Sequence, residues 1–200
     1  MAAELPNGVS REKIWDPGLR LFHWTLAVCV SGAWMLGHFG PNVMTLHFYF
    51  GYAVIVLLGF RVIWGLIGPG PARFSHFTYG PGATARYIAR LGKRAPSYWP
   101  GHNPLGALAV FTLLGALMVQ VGAGLFSDPD DYINVGPLAG MVDREANRTA
   151  TWLHNRMAWG ILALVGLHLS AILFYRFFKR EDLVTPMIAG WKLVRRDRSE

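Results

Sequence analysis

Cysteine is nearly missing from this sequence, with Cys29 the single thiol among 200 residues. One thiol excludes an intramolecular disulfide and a thiolate metal cluster. Cys29 sits in an apolar stretch and reads as a small lipid- or core-facing residue. Charge is scarce as well: 16% of residues are charged against 52% hydrophobic, too apolar a balance for an ordinary soluble domain of this length. No acid occurs from 68 to 104, and no charge at all from 39 to 45. There is no P-loop, nucleotide fingerprint or hydrolytic triad, and no repeat or low-complexity tract. No small-residue cleavage site ends the first apolar stretch. Arg11, Glu12, Lys13 and Asp16 precede it, so it is expected to stay in the mature protein rather than act as a cleaved signal.

What is abundant is apolar sequence in long runs, at about 19–38, 46–67, 105–126 and 152–178. Each reaches the roughly 20 residues a helix needs to cross about 30 Å of hydrocarbon. The runs are too long and continuous for barrel strands, which leaves helices to satisfy the backbone in lipid. The expected fold is all-α, an integral membrane four-helix bundle formed by residues 1–200 as one domain. Pro69 and Pro71 end the second helix. Asn103 as N-cap with Pro104 at the first helical position opens the third. Residues 83–91 suit a short amphipathic helix on the lipid surface.

The net charge of +7 is placed for a membrane rather than for nucleic acid. Arg73, Arg86, Arg90, Lys93 and Arg94 lie in the 68–104 connection, and Arg176, Lys179, Arg180, Lys192, Arg195, Arg196 and Arg198 in the tail. The 127–151 loop instead carries Asp128, Asp130, Asp131, Asp143 and Glu145 against Arg144 and Arg148. The positive-inside rule then puts both termini and the 68–104 connection in the cytoplasm, with the acidic loop outside.

Histidine at membrane depth calls for a reason, because ionisable groups there are rare and usually functional. His154 and His168 are fourteen residues apart in the fourth helix. That spacing puts them on one face, about 40° short of four turns, and separated by about 21 Å. His23, near the inner start of the first helix, matches the level of His168; His47, opening the second helix at the outer surface, matches His154. Two stacked imidazole pairs inside a helical bundle are a usual way to hold two haems by their axial positions. A CxxCH run is missing, so the haems are expected to be non-covalent, of type b. Gly51, one turn after His47, lets a flat porphyrin approach the backbone. His38 is a geometric rival to His47. His102 is a candidate for lining a quinone site or simply for the start of the third helix, and His76 reads as a loop residue.

Arg61 follows His47 by fourteen residues, so it projects from the same face at the level of the inner haem, where a propionate would pair with it. Snorkelling to the headgroups is the alternative. Arg20 and Arg156, each near a proposed ligand, are further candidates for binding a propionate. Most of the tryptophans fall near helix ends and suit interfacial anchoring.

The runs WDPGLRLFHW (15–24), LHFYFGY (46–52), FRVIWGLIGP (60–69), GHNP (101–104) and LVTPMIAG (183–190) resemble the prokaryotic cytochrome b561 and nickel-iron hydrogenase cytochrome b family along nearly the whole chain. The resemblance favours His47 over His38, since the histidine before FYFGY is the one that matches. It implies a di-haem cytochrome of the bacterial inner membrane that passes electrons between quinone or quinol and a redox partner. Expected partners are the quinone pool, membrane lipid, a second copy of the chain, and a periplasmic cytochrome or oxidoreductase docked at the acidic 127–151 loop. Two other classes compete. A subunit that only anchors a periplasmic oxidoreductase such as a hydrogenase leaves the histidines unexplained, and a metal-ion transporter would want carboxylates near them at one depth, whereas no acid lies in the four spans.

Overall fold

The computed structural model describes residues 8–41 and 44–195; Arg196 and Arg198 of the basic tail lie outside them. Among these residues, four helices are long and apolar enough to cross a membrane. They are α1 (Pro17–Phe39), α2 (Thr45–Ile67), α4 (Pro104–Leu125) and α5 (Arg144–Phe174), with α5 continued by one π turn over Tyr175–Lys179. Two short helices, α3 (Pro81–Ala89) and α6 (Val184–Ala189), complete the α-helices among the described residues. Large apolar side chains such as Leu21, Val56, Ile67 and Leu173 are more than half exposed, the pattern of a surface whose solvent is hydrocarbon.

The described residues are mostly helical, with two details the sequence reading lacks. Strands β1 (Val9–Lys13) and β2 (Trp191–Arg195) pair antiparallel, with Val9 opposite Arg195 and Lys13 opposite Trp191. The fourth long helix also begins at Arg144, two turns before 152. Asp143 starts it, its Oδ1 accepting the Ala146 N–H at 2.8 Å and its carbonyl the Asn147 N–H at 3.0 Å. Those first turns are polar, so hydropathy passes over them, while the cap and the acidic Glu145 suit a helix start. The acidic loop is correspondingly shorter. The start of α4 is as read from sequence, with Asn103 Oδ1 accepting the Gly106 N–H at 2.8 Å and Pro104 opening the helix.

The chain divides into two compact units: Met1–Leu21, Val62–Val110 and Leu167–Glu200 in their described parts, and Phe22–Arg61 with Phe111–Gly166. The first unit holds the sheet. A two-stranded ribbon is marginal by itself, and its support comes from alternation along β2. Lys192 and Val194 point inward, with Val194 fully buried. Lys192 Nζ meets Glu181 Oε1 at 3.3 Å with both side chains under a tenth exposed, and Glu181 Oε2 also accepts the Ser97 N–H and hydroxyl at 2.7 and 2.6 Å. Burial by itself would raise the Glu181 pKa, but Lys192 and the Ser97 donors outweigh it and hold the carboxyl below its ordinary value. Gly190 makes the turn into β2 at φ 84°, and a Cβ there would lie 2.8 Å from the Trp15 carbonyl, so only glycine fits. That turn also receives the Ile14 and Trp15 N–H groups on its carbonyl.

In the second unit the helices are joined by small-to-large contacts. A Cβ on Gly32 of α1 would come within 2.9 Å of the Phe50 ring of α2, and Trp34 of α1 meets Trp159 of α5 edge-to-face at 5.6 Å. Small residues that let helices approach are the usual packing device where lipid supplies no hydrophobic drive.

Candidate functional site

The second unit brings His47 and His154 together, their ring centroids 5.9 Å apart. His47 belongs to the first turn of α2 and His154 to the third turn of α5. Each ring is fixed from behind by a backbone carbonyl: His47 Nδ1 lies 2.9 Å from the Ala33 oxygen and His154 Nδ1 3.0 Å from the Gln120 oxygen. A carbonyl only accepts, so both Nδ1 atoms carry the proton and both Nε2 atoms keep a lone pair. That is the tautomer a metal ligand requires, with the outer hydrogen bond setting ring orientation. Gln120 Nε2, 3.3 Å from His154 Nε2, is placed to donate to that lone pair.

Two glycines seat the rings. A Cβ on Gly124 would sit 2.9 Å from His154 Cε1, and one on Gly37 3.3 Å from His47 Cε1. Gly51, one turn after His47, has nothing within 4 Å of where a Cβ would be, so the α2 backbone stays open beside the pair. The Trp34 indole N–H and Gln120 Oε1 are buried without a hydrogen-bond partner. Two imidazoles about 6 Å apart suit one metal between them at bonds of about 2 Å. With the tautomers, the open glycine and these polar atoms, the residues present fit a haem held by two histidines.

The other candidates are placed as follows. His23 lies in the second unit with its ring edge-on to Trp24 at 5.2 Å. His168 is half-buried in the first unit. His38 stacks on Trp34 at 4.2 Å, meets Trp159 edge-on at 4.9 Å and bonds through Nδ1 to the Trp34 carbonyl at 3.0 Å; its ring is committed to this aromatic cluster. Arg61 is only 2% exposed, so its charge is enclosed by protein rather than extended to a surface. Arg20 instead donates to the Ile188 carbonyl at the end of α6, and Arg156 is exposed, about 200° around α5 from His154. His102 is packed between the rings of Trp15 and Phe77 at 4.7 and 4.6 Å, and His76 abuts Gly70.

Sequence reasoning missed Gln120, Gly37 and Gly124. Gln120 carried a readable signal, an uncharged polar side chain at membrane depth. The glycines carried none that distinguishes them from other packing glycines.

A family model described as prokaryotic cytochrome b561 matches residues 14–190. Similar curated proteins include the "Probable Ni/Fe-hydrogenase B-type cytochrome subunit" of Azotobacter vinelandii, 25% identical over 94% of this chain and 90% of its own. The "Probable Ni/Fe-hydrogenase 1 B-type cytochrome subunit" of Escherichia coli K12 is 24% identical over 93% and 92%. The corresponding protein of Cupriavidus necator is 25% identical over 90% and 86%.

Proposed function

The chain belongs to the prokaryotic cytochrome b561 family, and from that premise we propose that it is a di-haem electron-transfer subunit of the bacterial inner membrane. The observation that carries this reading is the His47–His154 pair, with both Nδ1 atoms tied to carbonyls and both Nε2 atoms left unprotonated, that of His154 facing the Gln120 amide, which a metal would displace. His47 and His154 would hold the outer haem b, and His23 and His168, by their sequence depth alone, are the expected ligands of an inner one. Haem b supplies one-electron exchange at its iron. The chain's part is to fix the ligand rings, to exclude water with apolar helices and to set the local charge.

Both termini and the basic connection face the cytoplasm, as their charge favours. Electrons pass between the quinone pool and a redox protein at the periplasmic face, where the acidic loop lies. The names of the relatives favour a hydrogenase as that partner. Purified protein is expected to give reduced-minus-oxidised b-type bands and two haems per chain by the pyridine haemochrome method. Absence of those bands would overturn the reading, and a ratio of one would dissolve one of the two pairs.

Arg61 acts on the inner haem through charge. Its guanidinium stays protonated when buried, and a cation near oxidised iron disfavours the extra positive charge. A unit charge at roughly 10 Å in an effective dielectric of about 20 is worth about 1.7 kcal/mol; pairing with a propionate leaves a part of that. Arg61→Gln is expected to keep both haems and lower the inner potential by on the order of tens of millivolts, with Arg61→Lys milder. Redox titration of parent and variants decides it, and an unchanged inner potential would remove Arg61 from this role.

A further inference from the structure

The face of α3 that turns away from the protein has no use in the haem reading, and the fold says where it must lie. α3 sits in the connection between α2 and α4, two consecutive membrane-crossing helices, so the connection is held at one bilayer surface. Its inward side is occupied. The Tyr87 hydroxyl lies 2.5 Å from that of Tyr175, its ring meets Trp99 edge-on at 5.5 Å, and Ala83 and Thr84 beside it are half-buried. Just beyond the helix, buried Lys179 donates to the Lys93 carbonyl at 2.6 Å and to the Leu91 carbonyl at 3.4 Å, tying the following turn down.

The outward side is a different chemistry. Pro81, Ala85 and Ile88, spaced four and three residues apart, form an exposed apolar stripe, with Ile88 50% exposed. Exposed Arg86 and Arg90 form a parallel stripe about 100° away, and exposed Lys93 and Arg94 continue it. None of these four bases has an ion-pair partner among the described residues, and no acid occurs anywhere from 68 to 104. An apolar stripe beside an unbalanced basic one, fixed at a bilayer surface, matches the layered chemistry of a membrane interface, with acyl chains below and phosphates above.

We propose that the outward face of α3 is a binding surface for anionic phospholipid, with Arg86 and Arg90 on the headgroup phosphates and Ile88 in the upper acyl layer. Tyr87 holds the helix at the rotation that makes this possible. The proposal rests on the membrane-spanning architecture and is independent of the haem assignment.

The test uses the full chain, with its haems, in nanodiscs. A fluorophore sensitive to polarity is attached at Ile88→Cys in a Cys29→Ala background, and its emission and its quenching by spin-labelled acyl chains are read in phosphatidylcholine discs and in discs containing phosphatidylglycerol. The expected result is a blue-shifted, strongly quenched probe in the anionic discs, and about a fivefold or greater enrichment of phosphatidylglycerol among lipids retained by the parent protein from an equal mixture. Arg86→Gln with Arg90→Gln should abolish most of that enrichment while leaving the haem spectrum unchanged. Inorganic phosphate added to phosphatidylcholine discs should move nothing. A probe equally polar in both kinds of disc, or an enrichment that survives loss of both arginines, overturns the proposal.

Discussion

On the di-haem proposal, His154→Ala is expected to halve the haem content of purified protein in the pyridine haemochrome ratio and to remove one step from the redox titration. The Gln120 side chain, 3.3 Å from the ring, offers an amide rather than an imidazole, and His38 is held 4.2 Å from Trp34 in its own stack. His47→Ala should give the same loss, since the two rings meet edge-on with centroids 5.9 Å apart. His23→Ala and His168→Ala should remove the other haem, and His38→Ala neither. Two haems retained in His154→Ala, or one lost in His38→Ala, would overturn the assignment of the outer ligands without touching the fold.

Glu181→Ala is the substitution expected to cost most in stability. It leaves Lys192 buried as an uncompensated cation beside Gly101 and strips the acceptor from the two Ser97 donors. Breaking one partner of a buried pair typically costs about 3–5 kcal/mol. Amide exchange in β2 should therefore lose protection by roughly 100-fold or more if the ribbon opens locally. Acid should act on the same bond. The folded pKa of Glu181 lies below its ordinary value, so its contribution is complete above the normal glutamate range, near about 4.3, and is lost as pH falls through the lower folded value. Glu181→Gln should show no such acid step in β2 protection. A parent whose β2 exchange is insensitive to both changes would show that the pair does not hold the ribbon.

The four long helices were legible because continuous apolar sequence of that length has one solution in lipid, and the start of α4 because Asn103 and Pro104 are paired signals. The first turns of α5 were not, since Arg144, Glu145, Asn147 and Arg148 lower hydropathy where the Asp143 cap supports the helix. The sheet was hidden for another reason: VSREK and WKLVR are short and charged, and their pairing joins residues at opposite ends of the chain. At the candidate site, spacing and depth singled out the histidines. Helix rotation decides which carbonyl lies behind each ring, and no spacing rule contains that, so the Ala33 and Gln120 oxygens emerged only from the packed structure. Sequence proximity likewise does not contain the hydrogen bond of Arg20, three residues before His23, to the Ile188 carbonyl.

Strand β1 precedes the four membrane-crossing helices of the described residues, and its partner β2 follows them. Synthesis proceeds from the N-terminus, so β1 waits for its partner until those four helices have been made. Pairing then demands that the two strands reach the same compartment, which holds only for an even number of crossings. A chain in which one helix failed to insert would deliver β2 to the wrong side from β1, leaving the Gly190 carbonyl without the Ile14 and Trp15 N–H groups. The ribbon thus records the parity of the crossings between its strands, since it forms only where their number is even.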